Sequence, residues 1–417
     1  MKNKLKLAYC LALFLCFSTQ IANAQQTLYP QYNGVHECSD NRAATTGICG
    51  LLNKVRHNGP VANNSSLPAA IMAVHRGLWA DGVPENTSEA FRQTAEKGYK
   101  LIEADIMPAN ITNYTNPNGT NFGKPGGLVC FHDFKLQRMT NSTDNAYVFQ
   151  KTVSQLQAIQ LKKPRSNQTS NWSICSLLTL INIAADNNVI ACLDIKNLEN
   201  NGNTELTQWS TTDRKLLSLT ENIKWALNNI PQDKLKYVAI KTYEKYSDLK
   251  SRIAPDTAPA DIKKRFNSIL WIPMIAKNDK SITNGVIDVS KVNSWLRDWG
   301  AVNKAVLYYE VNIFSDNDVT NKLLEPLFLS TEMNNSAAPV CKAINTVYNR
   351  RVGIFSEEPV GSKGTVNRWG KWSYKKPKVD RRGDPHWLLK DIPEMKKGVI
   401  TTDRPDHWKD LTNYISN

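Results

Sequence analysis

The sequence predicts an α/β fold: a TIM (β/α)8 barrel that forms a single catalytic domain with long loop insertions. From about residue 70 onward, short runs rich in β-branched residues alternate with longer stretches whose apolar residues have helical spacing. Strands that alternate with helices form parallel sheets. A succession of about eight such units in one domain closes a barrel.

Nine strand-like runs can be identified, one more than a barrel needs. One of them must therefore be a hairpin strand, an added strand or a misassigned segment. The run at 305–314 is the suspect because it is unusually long. The nine runs are 71–77, 101–107, 128–134, 189–196, 236–243, 269–275, 305–314, 351–356 and 398–403.

A helix is predicted for the stretch between the first two runs. Residues 88–98 place Ala90, Phe91, Thr94 and Ala95 on one face, and the pattern ends at Gly98. Apolar residues three and four apart predict an amphipathic helix, and a glycine commonly ends one.

The first 24 residues have the layout of a secretory signal peptide. Three lysines precede an apolar run, and the segment ends in Ala22-Asn23-Ala24, a small-residue cleavage site. The run is too short to span a bilayer comfortably, although retained anchoring is the alternative. We therefore expect 1–24 to be removed and the mature protein to be secreted or periplasmic, with a bacterial source indicated by the short lysine-led leader. Residues 25–69 are expected to form an irregular lead-in that packs on a main domain, 70–417.

The chain is basic, with 52 Lys+Arg against 38 Asp+Glu and a formal net charge of +14. The leader holds three lysines and no acids, which leaves +11 for the mature protein. A basic surface attracts nucleic acid, anionic lipid or phosphorylated substrates. Because the charge is dispersed and no nucleic-acid-binding motif is present, we expect no nucleic-acid partner, which leaves anionic lipid and small phosphorylated substrates. Transient contact with a membrane surface stays open, and the sequence does not predict an oligomeric state.

Six cysteines follow the leader, and an exported protein meets an oxidising compartment. Cys38 and Cys49 flank a short polar loop and are the pair that we expect to be bridged. Cys130 and Cys192 lie inside strand-like apolar runs and are expected to be buried thiols rather than bridge partners. Spacing alone does not establish the pairing.

Ionisable residues recur where the first predicted strands end, and the active site of a TIM barrel lies at those carboxyl ends. Residues two apart on a strand point to the same side. Glu103 therefore projects together with Asp105, and Asp194 with Lys196. The residues at these ends are His75, Arg76, Glu103, Asp105, His132, Asp133, Asp194 and Lys196.

The acids among them favour a metal site. Glu103, Asp105 and Asp194 cannot all stay charged and buried side by side without a cation. A hard divalent ion suits a ligand set made only of oxygen, so one Ca²⁺ or Mg²⁺ is expected. The alternative is that these acids form salt bridges with Arg76 and Lys196.

The two histidines suit proton transfer near neutral pH. One can deprotonate an attacking oxygen while the other protonates a leaving alcohol, and Arg76 and Lys196 can bind phosphoryl oxygens. A lone histidine is usually structural. His75 and His132, however, both lie at strand ends beside a charged residue.

At this point the sequence resembles the glycerophosphodiester phosphodiesterases. A lone His-Arg-Gly would be weak evidence, but the motifs occur together and in the family's order, most strongly over residues 70–200. The matching segments are His75-Arg76-Gly77, Pro84-Glu85-Asn86-Thr87, Glu103-x-Asp105, His132-Asp133, Arg138-x-Thr140-Asn141, Asp194-x-Lys196 and Ile400-Thr401-Thr402-Asp403-x-Pro405.

The resemblance implies a TIM-barrel, metal-dependent enzyme. Such an enzyme hydrolyses glycerophosphodiesters, for example glycerophosphocholine, to glycerol 3-phosphate and an alcohol. The roles it implies are acid and base for His75 and His132, metal ligands for Glu103, Asp105 and Asp194, and substrate binding for Arg76, Lys196, Glu85 and Asn86.

Three features depart from the family's pattern. Asp194 stands where the family commonly has glutamate, which could alter metal fit. Residues 108–127 form a long Asn/Pro/Gly-rich stretch, which is either a loop that roofs the site or a disordered insertion. Residues 357–397 are rich in Trp and Lys, and they either shape a pocket for a choline-like cation or pack that loop down.

Two other functions stay open. One is a phospholipase D-like enzyme that acts on lysophospholipid or sphingomyelin and releases a cyclic phosphate. The other is a non-catalytic barrel that binds phosphorylated or sugar ligands. The His-Arg-Gly, Pro-Glu-Asn-Thr and His-Asp elements together favour the glycerophosphodiesterase, and the retained histidines and acids argue against a non-catalytic barrel.

Overall fold

The structure is a computed structural model of the chain. No helix within the described part of the chain is long and apolar enough to cross a membrane. The leader, Cys38 and the stretch 357–397 lie outside the described residues. Those residues are 46–56, 70–79, 82–111, 125–141, 146–164, 166–196, 218–275, 282–283, 286–287, 289–311, 344, 350–356, 398–403 and 405.

The described chain contains fourteen strands and eight α-helices. The strands are β1 (Ile71–His75), β2 (Leu101–Ile111), β3 (Pro125–Cys130), β4 (Gln160–Lys162), β5 (Thr169–Ser173), β6 (Cys175–Ser176), β7 (Ile190–Ile195), β8 (Val238–Thr242), β9 (Leu270–Ile275), β10 (Ile282–Thr283), β11 (Val286–Ile287), β12 (Tyr309–Val311), β13 (Val352–Ser356) and β14 (Val399–Thr402). The helices are α1 (Gly47–Arg56), α2 (Ser88–Glu96), α3 (Val153–Gln157), α4 (Leu177–Asp186), α5 (Leu219–Asn229), α6 (Tyr246–Ile253), α7 (Ala260–Ser268) and α8 (Val289–Ala301).

Eight of the strands close a parallel barrel, so the predicted TIM fold is confirmed. Going round the barrel, the order is β1, β2, β7, β8, β9, β12, β13 and β14, and β14 pairs with β1 in parallel register. In the described part of the chain, helices connect the consecutive barrel strands from β1 to β12, for example α2 between β1 and β2, and α5 between β7 and β8. This connectivity places the carboxyl ends of all eight strands at one mouth.

The extra strand-like run is 128–134, and the suspicion against 305–314 was wrong. Within the latter, β12 pairs in parallel with both β9 and β13 and completes the barrel. Within the former, β3 pairs antiparallel with β2 and with β6. The pattern of apolar residues could not separate these cases, because a buried hairpin strand and a buried barrel strand are equally apolar.

The predicted loop at 108–127 begins and ends as β-structure. β2 continues to Ile111, and Ile111 pairs with Pro125 at the start of β3. The two strands thus form a hairpin arm that extends past the barrel mouth and returns to it. A separate core supports the arm, formed by Met107, Ala109, Val129, Phe131, Leu136, Met139, Val148, Phe149, Leu156, Leu161 and Ile174.

Helix α2 occupies the predicted stretch and has both of its expected ends. The Thr87 side chain accepts a hydrogen bond from the Ala90 backbone N–H and so caps the amino end. Phe91 and Thr94 are buried on one face. Just past the carboxyl end, Gly98 adopts a φ of +85°, a backbone conformation that glycine adopts without strain.

Helix α1 lies in the segment that we expected to be irregular. Its buried residues Leu51, Leu52 and Val55 follow helical spacing. They share one hydrophobic cluster with Leu101, the first residue of β2, and with the first residues of three other barrel strands. The helix therefore closes the amino-terminal end of the barrel, at the far end from the mouth.

Candidate active site

Barrel strands carry most of the predicted site residues to the mouth. His75 is the last residue of β1, Glu103 and Asp105 lie on β2, and Asp194 lies on β7. The register pairs His75 with Glu103 and Asp105 with Asp194 across neighbouring strands. Adjacent parallel strands thus bring side chains together that are far apart in sequence.

Lys196 follows β7 directly and lies beside two of these carboxylates. Its Nζ lies 2.6 Å from Asp105 Oδ1 and 2.7 Å from Asp194 Oδ2. Burial opposes the charge on this lysine, but the two carboxylates raise its pKa. The side chain therefore stays a cation at the centre of the site.

His132 reaches the mouth by a different route from the one we predicted. It does not end a barrel strand, because β3 belongs to the hairpin arm. The arm returns to β2 at the level of the carboxylates, where Phe131 N–H donates to the Asp105 carbonyl at 2.9 Å. The next residue is His132, so the fold-back of the arm places its imidazole at the mouth.

Three carboxylates form a cluster that could hold a cation. One ligand oxygen from each of Glu103, Asp105 and Asp194 lies within 4.8 Å of the others. Glu103 and Asp105 are buried, whereas Asp194 is half-buried. An all-oxygen donor set with one more accessible member fits a hard divalent ion that keeps water or substrate ligands.

Arg76 adopts an unusual backbone conformation beside this cluster. Its φ is +58°, in the left-handed region, and its backbone N–H donates to Glu103 Oε2 at 3.3 Å. The side-chain Nε lies 2.8 Å from Asp105 Oδ2. Arg76, the residue directly after β1, is thereby fixed against both acids of β2.

Asn86 is held against Asp105, and Glu85 is held against Arg76. Asn86, with a φ of +57°, donates from Nδ2 to Asp105 Oδ2 at 3.1 Å and accepts from Asp105 N–H at 3.2 Å. Glu85 Oε1 accepts from Arg76 Nη1 at 3.0 Å. Both residues support other site residues in this structure, and their predicted contact with substrate stays a prediction.

Each histidine is oriented by its own carboxylate. Asp403 Oδ1 lies 2.7 Å from His75 Nδ1, and Asp133 Oδ1 lies 2.6 Å from His132 Nδ1. A carboxylate can only accept, so Nδ1 carries the proton in both rings and Nε2 is the remaining reactive nitrogen. His75 Nε2 lies 3.8 Å from Glu103 Oε2.

The surrounding residues shift the pKa of the His75 imidazole. Burial lowers the pKa of this imidazole, but the negative charges of Asp403 and Glu103 outweigh burial and the opposing charge of Arg76. The pKa of His75 is therefore raised above its usual value. Trp79 Nε1 donates to the same Asp403 oxygen at 2.9 Å, so the orienting carboxylate is itself held in place.

Arg138 joins the hairpin arm to the barrel. Its Nη2 donates to Glu85 Oε1 at 2.6 Å, and its Nε donates to Asp133. One guanidinium thus links the carboxylate that orients His132 to the carboxylate that holds Arg76. The residue belonged to a recognised motif, but no role was predicted for it, since its partners lie in other segments.

A second ion-pair layer lies beneath the carboxylates and was missed by sequence reasoning. Lys241 Nζ lies 3.5 Å from Glu103 Oε1 and 3.1 Å from Glu310 Oε2. Glu310 also accepts from Thr401 Oγ1 at 3.4 Å. Lys241 lies near the carboxyl end of β8, the kind of position by which the other site residues were recognised in the sequence. No such pattern pointed to Glu310.

Negative charge is in excess among these contacting groups. Burial raises the pKa of the Asp105 carboxyl, but Lys196 and Arg76 together outweigh it and hold that pKa well below the usual range. Asp105 is therefore a carboxylate near neutral pH. The described site contains four permanent cations, Arg76, Arg138, Lys196 and Lys241, and seven carboxyl groups, Glu85, Glu103, Asp105, Asp133, Asp194, Glu310 and Asp403. A bound divalent cation would offset much of this excess.

A TIM barrel with histidines, carboxylates and cations at its carboxyl mouth is the class of protein that the fold and site define. No protein-family model and no curated protein matches the chain. A glycerophosphoryl diester phosphodiesterase from Parabacteroides distasonis has a similar structure, with 15% sequence identity and a TM-score of 0.50 over 89% of this chain and 93% of that one. A phosphodiesterase from Oleispira antarctica, solved with the product sn-glycerol-3-phosphate, is 14% identical, with a TM-score of 0.46 over 83% and 97% of the two chains.

The likeness to the Parabacteroides distasonis structure establishes the fold of this chain. The family that the motifs indicate is also the family of that structure.

Proposed function

We propose that this chain is a metal-dependent phosphodiesterase that hydrolyses glycerophosphodiesters to glycerol 3-phosphate and an alcohol. One observation carries the proposal. Two imidazoles, each oriented at Nδ1 by its own carboxylate, lie at the barrel mouth that holds the three-carboxylate cluster. Both imidazoles lie close enough to Asp105 to lower the pKa of its carboxyl, after the larger effects of burial, Lys196 and Arg76.

Glu103, Asp105 and Asp194 would hold the cation. When bound, a divalent ion in such a site polarises a phosphoryl oxygen and stabilises the negative charge that develops on it. The excess of carboxylates over cations among the contacting site residues supports this role, because buried like charges are costly without a counter-ion.

Arg76 and Lys196 would bind the non-bridging phosphoryl oxygens. Both are cations that contact Asp105, so they surround the position beside the carboxylate cluster. Charge-assisted hydrogen bonds from guanidinium and ammonium groups to phosphate are short and strong. Their positions favour a substrate that carries a phosphodiester.

His75 and His132 would divide the proton transfers. Nε2 of one ring accepts a proton from the attacking oxygen, and Nε2 of the other donates a proton to the leaving alcohol. Asp403 and Asp133 hold the rings in the tautomer that leaves Nε2 available. Positioned acids and bases of this kind contribute about 10²- to 10⁴-fold to a reaction rate.

The test is choline release from glycerophosphocholine by the purified protein, first in EDTA and then with Ca²⁺ or Mg²⁺ restored. Metal-dependent formation of choline and glycerol 3-phosphate is expected. His75→Ala and His132→Ala should each lose at least about 10²-fold in kcat while their circular dichroism stays unchanged. Turnover retained by either folded variant at saturating metal would remove that histidine from the mechanism.

Absence of release with both metals would contradict the proposed substrate. Intact lysophospholipid and sphingomyelin would then be assayed under the same conditions, with a cyclic phosphate as the diagnostic product. Failure on all three substrates, with metal binding intact, would favour the non-catalytic barrel.

We also propose that the chain is exported, on the basis of its leader. Three lysines, an apolar run and Ala22-Asn23-Ala24 support cleavage before Gln25. Sequencing of the amino terminus of the protein recovered from a bacterial periplasm or culture medium should begin at or near Gln25. A protein recovered only with an intact leader in the membrane fraction would instead support retained anchoring.

A further inference from the structure

Two cysteines face each other at the base of the hairpin arm. Cys130 is the last residue of β3, and Cys175 is the first residue of β6. The strands are antiparallel, and their register pairs Cys130 with Cys175. Directly opposed residues in such a pair have Cα atoms about 4.5–5.5 Å apart, and a disulfide requires about 4.4–6.8 Å.

The side chains also meet. Directly opposed residues of an antiparallel pair project to the same face, with Cβ atoms about 4.5–5.5 Å apart, and after burial it is the neighbouring Cys175 that raises the pKa of the Cys130 thiol. Both are buried, at 1% and 4% exposure, in the main hydrophobic core. The two sulfurs are thus already neighbours while both thiols are reduced.

We propose that Cys130 and Cys175 form a disulfide when the chain folds in an oxidising compartment. Each thiol loses a proton and an electron, and the two sulfurs form one bond. A disulfide oxidant, such as oxidised glutathione, accepts both electrons and both protons and leaves as two thiols. The exchange takes place while the strands are pairing, before the core excludes the oxidant.

The bridge would fasten the segment that carries His132. It would join the two ends of residues 131–174, which contain His132, Asp133, Arg138 and most of their supporting core. His132 follows Cys130 by two positions. The bridge would therefore hold the arm at the point from which it delivers the imidazole to the mouth.

Cys192 provides a matched control within the same fold. It is fully buried on β7 and is also a free thiol. Its partners in register are Glu103 on β2 and Ala239 on β8, so neither neighbouring strand places a cysteine opposite it. It should stay reduced under conditions that oxidise the facing pair.

The experiment is thiol mapping on the full chain. Reduced, unfolded protein is refolded in a buffer of oxidised and reduced glutathione, and the folded fraction is isolated by size exclusion. Free thiols are alkylated under denaturing conditions, and the protein is digested without reductant. We expect a linked peptide that contains Cys130 and Cys175, lighter by two hydrogens than the sum of its parts, and an alkylated Cys192.

Alkylation of both Cys130 and Cys175 in the folded fraction would overturn the proposal, as would linkage of either one to another cysteine as the main product. The result does not depend on phosphodiesterase activity, so the proposed function and this bridge can fail separately.

Paired variants give a second readout. A reductant should lower the melting temperature of the wild-type protein and of Cys192→Ala by more than that of the double variant Cys130→Ala/Cys175→Ala. Any bridge elsewhere in the chain contributes equally to all three proteins and cancels in the comparison. An equal reductant effect in the double variant would contradict the bridge.

Discussion

The backbone of Arg76 and of Asn86 lies in the left-handed region, at φ values of +58° and +57°. This conformation costs a side-chain-bearing residue about 1–2 kcal/mol, and it persists only where surrounding contacts enforce it. Here the Arg76 carbonyl accepts from Asn86 N–H at 2.9 Å. The Asn86 side chain in turn donates to Asp105 and accepts from its backbone N–H. Two of the three non-glycine residues with positive φ in the described chain, Arg76 and Asn86, thus lie beside the carboxylate cluster, which supports their place in the site.

Most site residues were predictable from sequence, whereas their partners were not. His75, Glu103, Asp105 and Asp194 lie at or near strand ends, a position that the local pattern reveals. The partner of His75 is Asp403, 328 positions away, and only closure of the barrel brings the two together. A local pattern holds no information about which later strand completes the ring.

Asp403→Asn tests the orienting role of this carboxylate. Loss of its negative charge removes a cause that raises the pKa of His75, so that pKa should fall. The limb of the pH–kcat profile governed by His75 should then move to lower pH, whether His75 acts as the base or the acid. We also expect kcat to fall by about 100-fold, because the amide no longer enforces the reactive tautomer.

Trp79→Phe is the matched control for this variant. It removes another donor to the same oxygen but retains the negative charge of Asp403. The limb of the pH profile governed by His75 should therefore not move to lower pH. A limb that stays in place in Asp403→Asn would show that His75 does not govern it.

Arg138→Ala tests the link between the arm and the barrel. The change removes the guanidinium that contacts both Asp133 and Glu85. His132 then loses the support of its orienting carboxylate, and displacement of a catalytic group by about 1 Å costs up to about 100-fold. We expect a fall in kcat of about 10- to 100-fold with a smaller change in KM, measured by steady-state kinetics.

The control for Arg138→Ala is Lys135→Ala, which removes a cation from the same loop. Lys135 lies over the Tyr147 ring, so its loss should leave kcat within about twofold. Equal losses in both variants would indicate a general effect of positive charge rather than positioning by Arg138.

At the scale of elements, the hairpin arm is the part of the fold whose strand pairing the sequence pattern could not predict. Apolar runs predicted both β2 and β3, but alternation alone does not state whether neighbouring strands are parallel or antiparallel. We placed His132 at the mouth because it ends the strand-like run 128–134, whereas the structure brings it there by folding the arm back. The location of the residue was predicted for the wrong structural reason. Helix α1 was missed, because ten residues in a polar context give a weak helical signal.

Gly77 fixes the contact between the end of β1 and helix α2. Its φ is +76°, and a Cβ atom at this position would lie 2.7 Å from the Ala90 backbone carbon. Gly77→Ala therefore combines left-handed strain with a clash against a buried helix. We expect a loss of about 2–4 kcal/mol in the free energy of unfolding, measured by urea denaturation.

Gly98→Ala separates these two causes. Gly98 has a similar φ of +85°, but a Cβ atom there would meet nothing within 4 Å. Its loss should be limited to the backbone strain, about 1–2 kcal/mol. If Gly77→Ala cost no more than Gly98→Ala, the close approach of α2 would not constrain this turn.

At the scale of the whole molecule, the barrel was predictable because its signal repeats. Each strand and helix gives a weak local pattern, and the repetition of about eight units leaves few alternative architectures. The same closure concentrates charge. Ionisable groups reach one mouth from strands β1, β2, β7, β8, β12 and β14 or from the residues just after them. Among the described residues, the carboxyl groups at this mouth outnumber the permanent cations.

This excess of buried negative charge should make the stability of the entire fold depend on metal. A cation that binds the folded state alone stabilises it by about 2.7 kcal/mol at a free concentration one hundred times its Kd. For a chain of this size, that corresponds to a rise of a few degrees in the melting temperature. Calorimetry of the EDTA-treated protein, with and without Ca²⁺ or Mg²⁺, measures this rise without any assay of activity.

Glu103→Gln should remove most of the metal-dependent rise, because it withdraws a buried carboxylate from the cluster. Glu221→Gln makes the same chemical change on helix α5, where Glu221 pairs with Lys224 at 2.9 Å, and should leave the rise intact. In the absence of metal, Glu103→Gln relieves repulsion from Glu310 but also weakens the attraction to Lys241, so only the difference between metal-bound and metal-free melting is diagnostic. A rise of equal size in Glu103→Gln and wild type would exclude this carboxylate as a ligand.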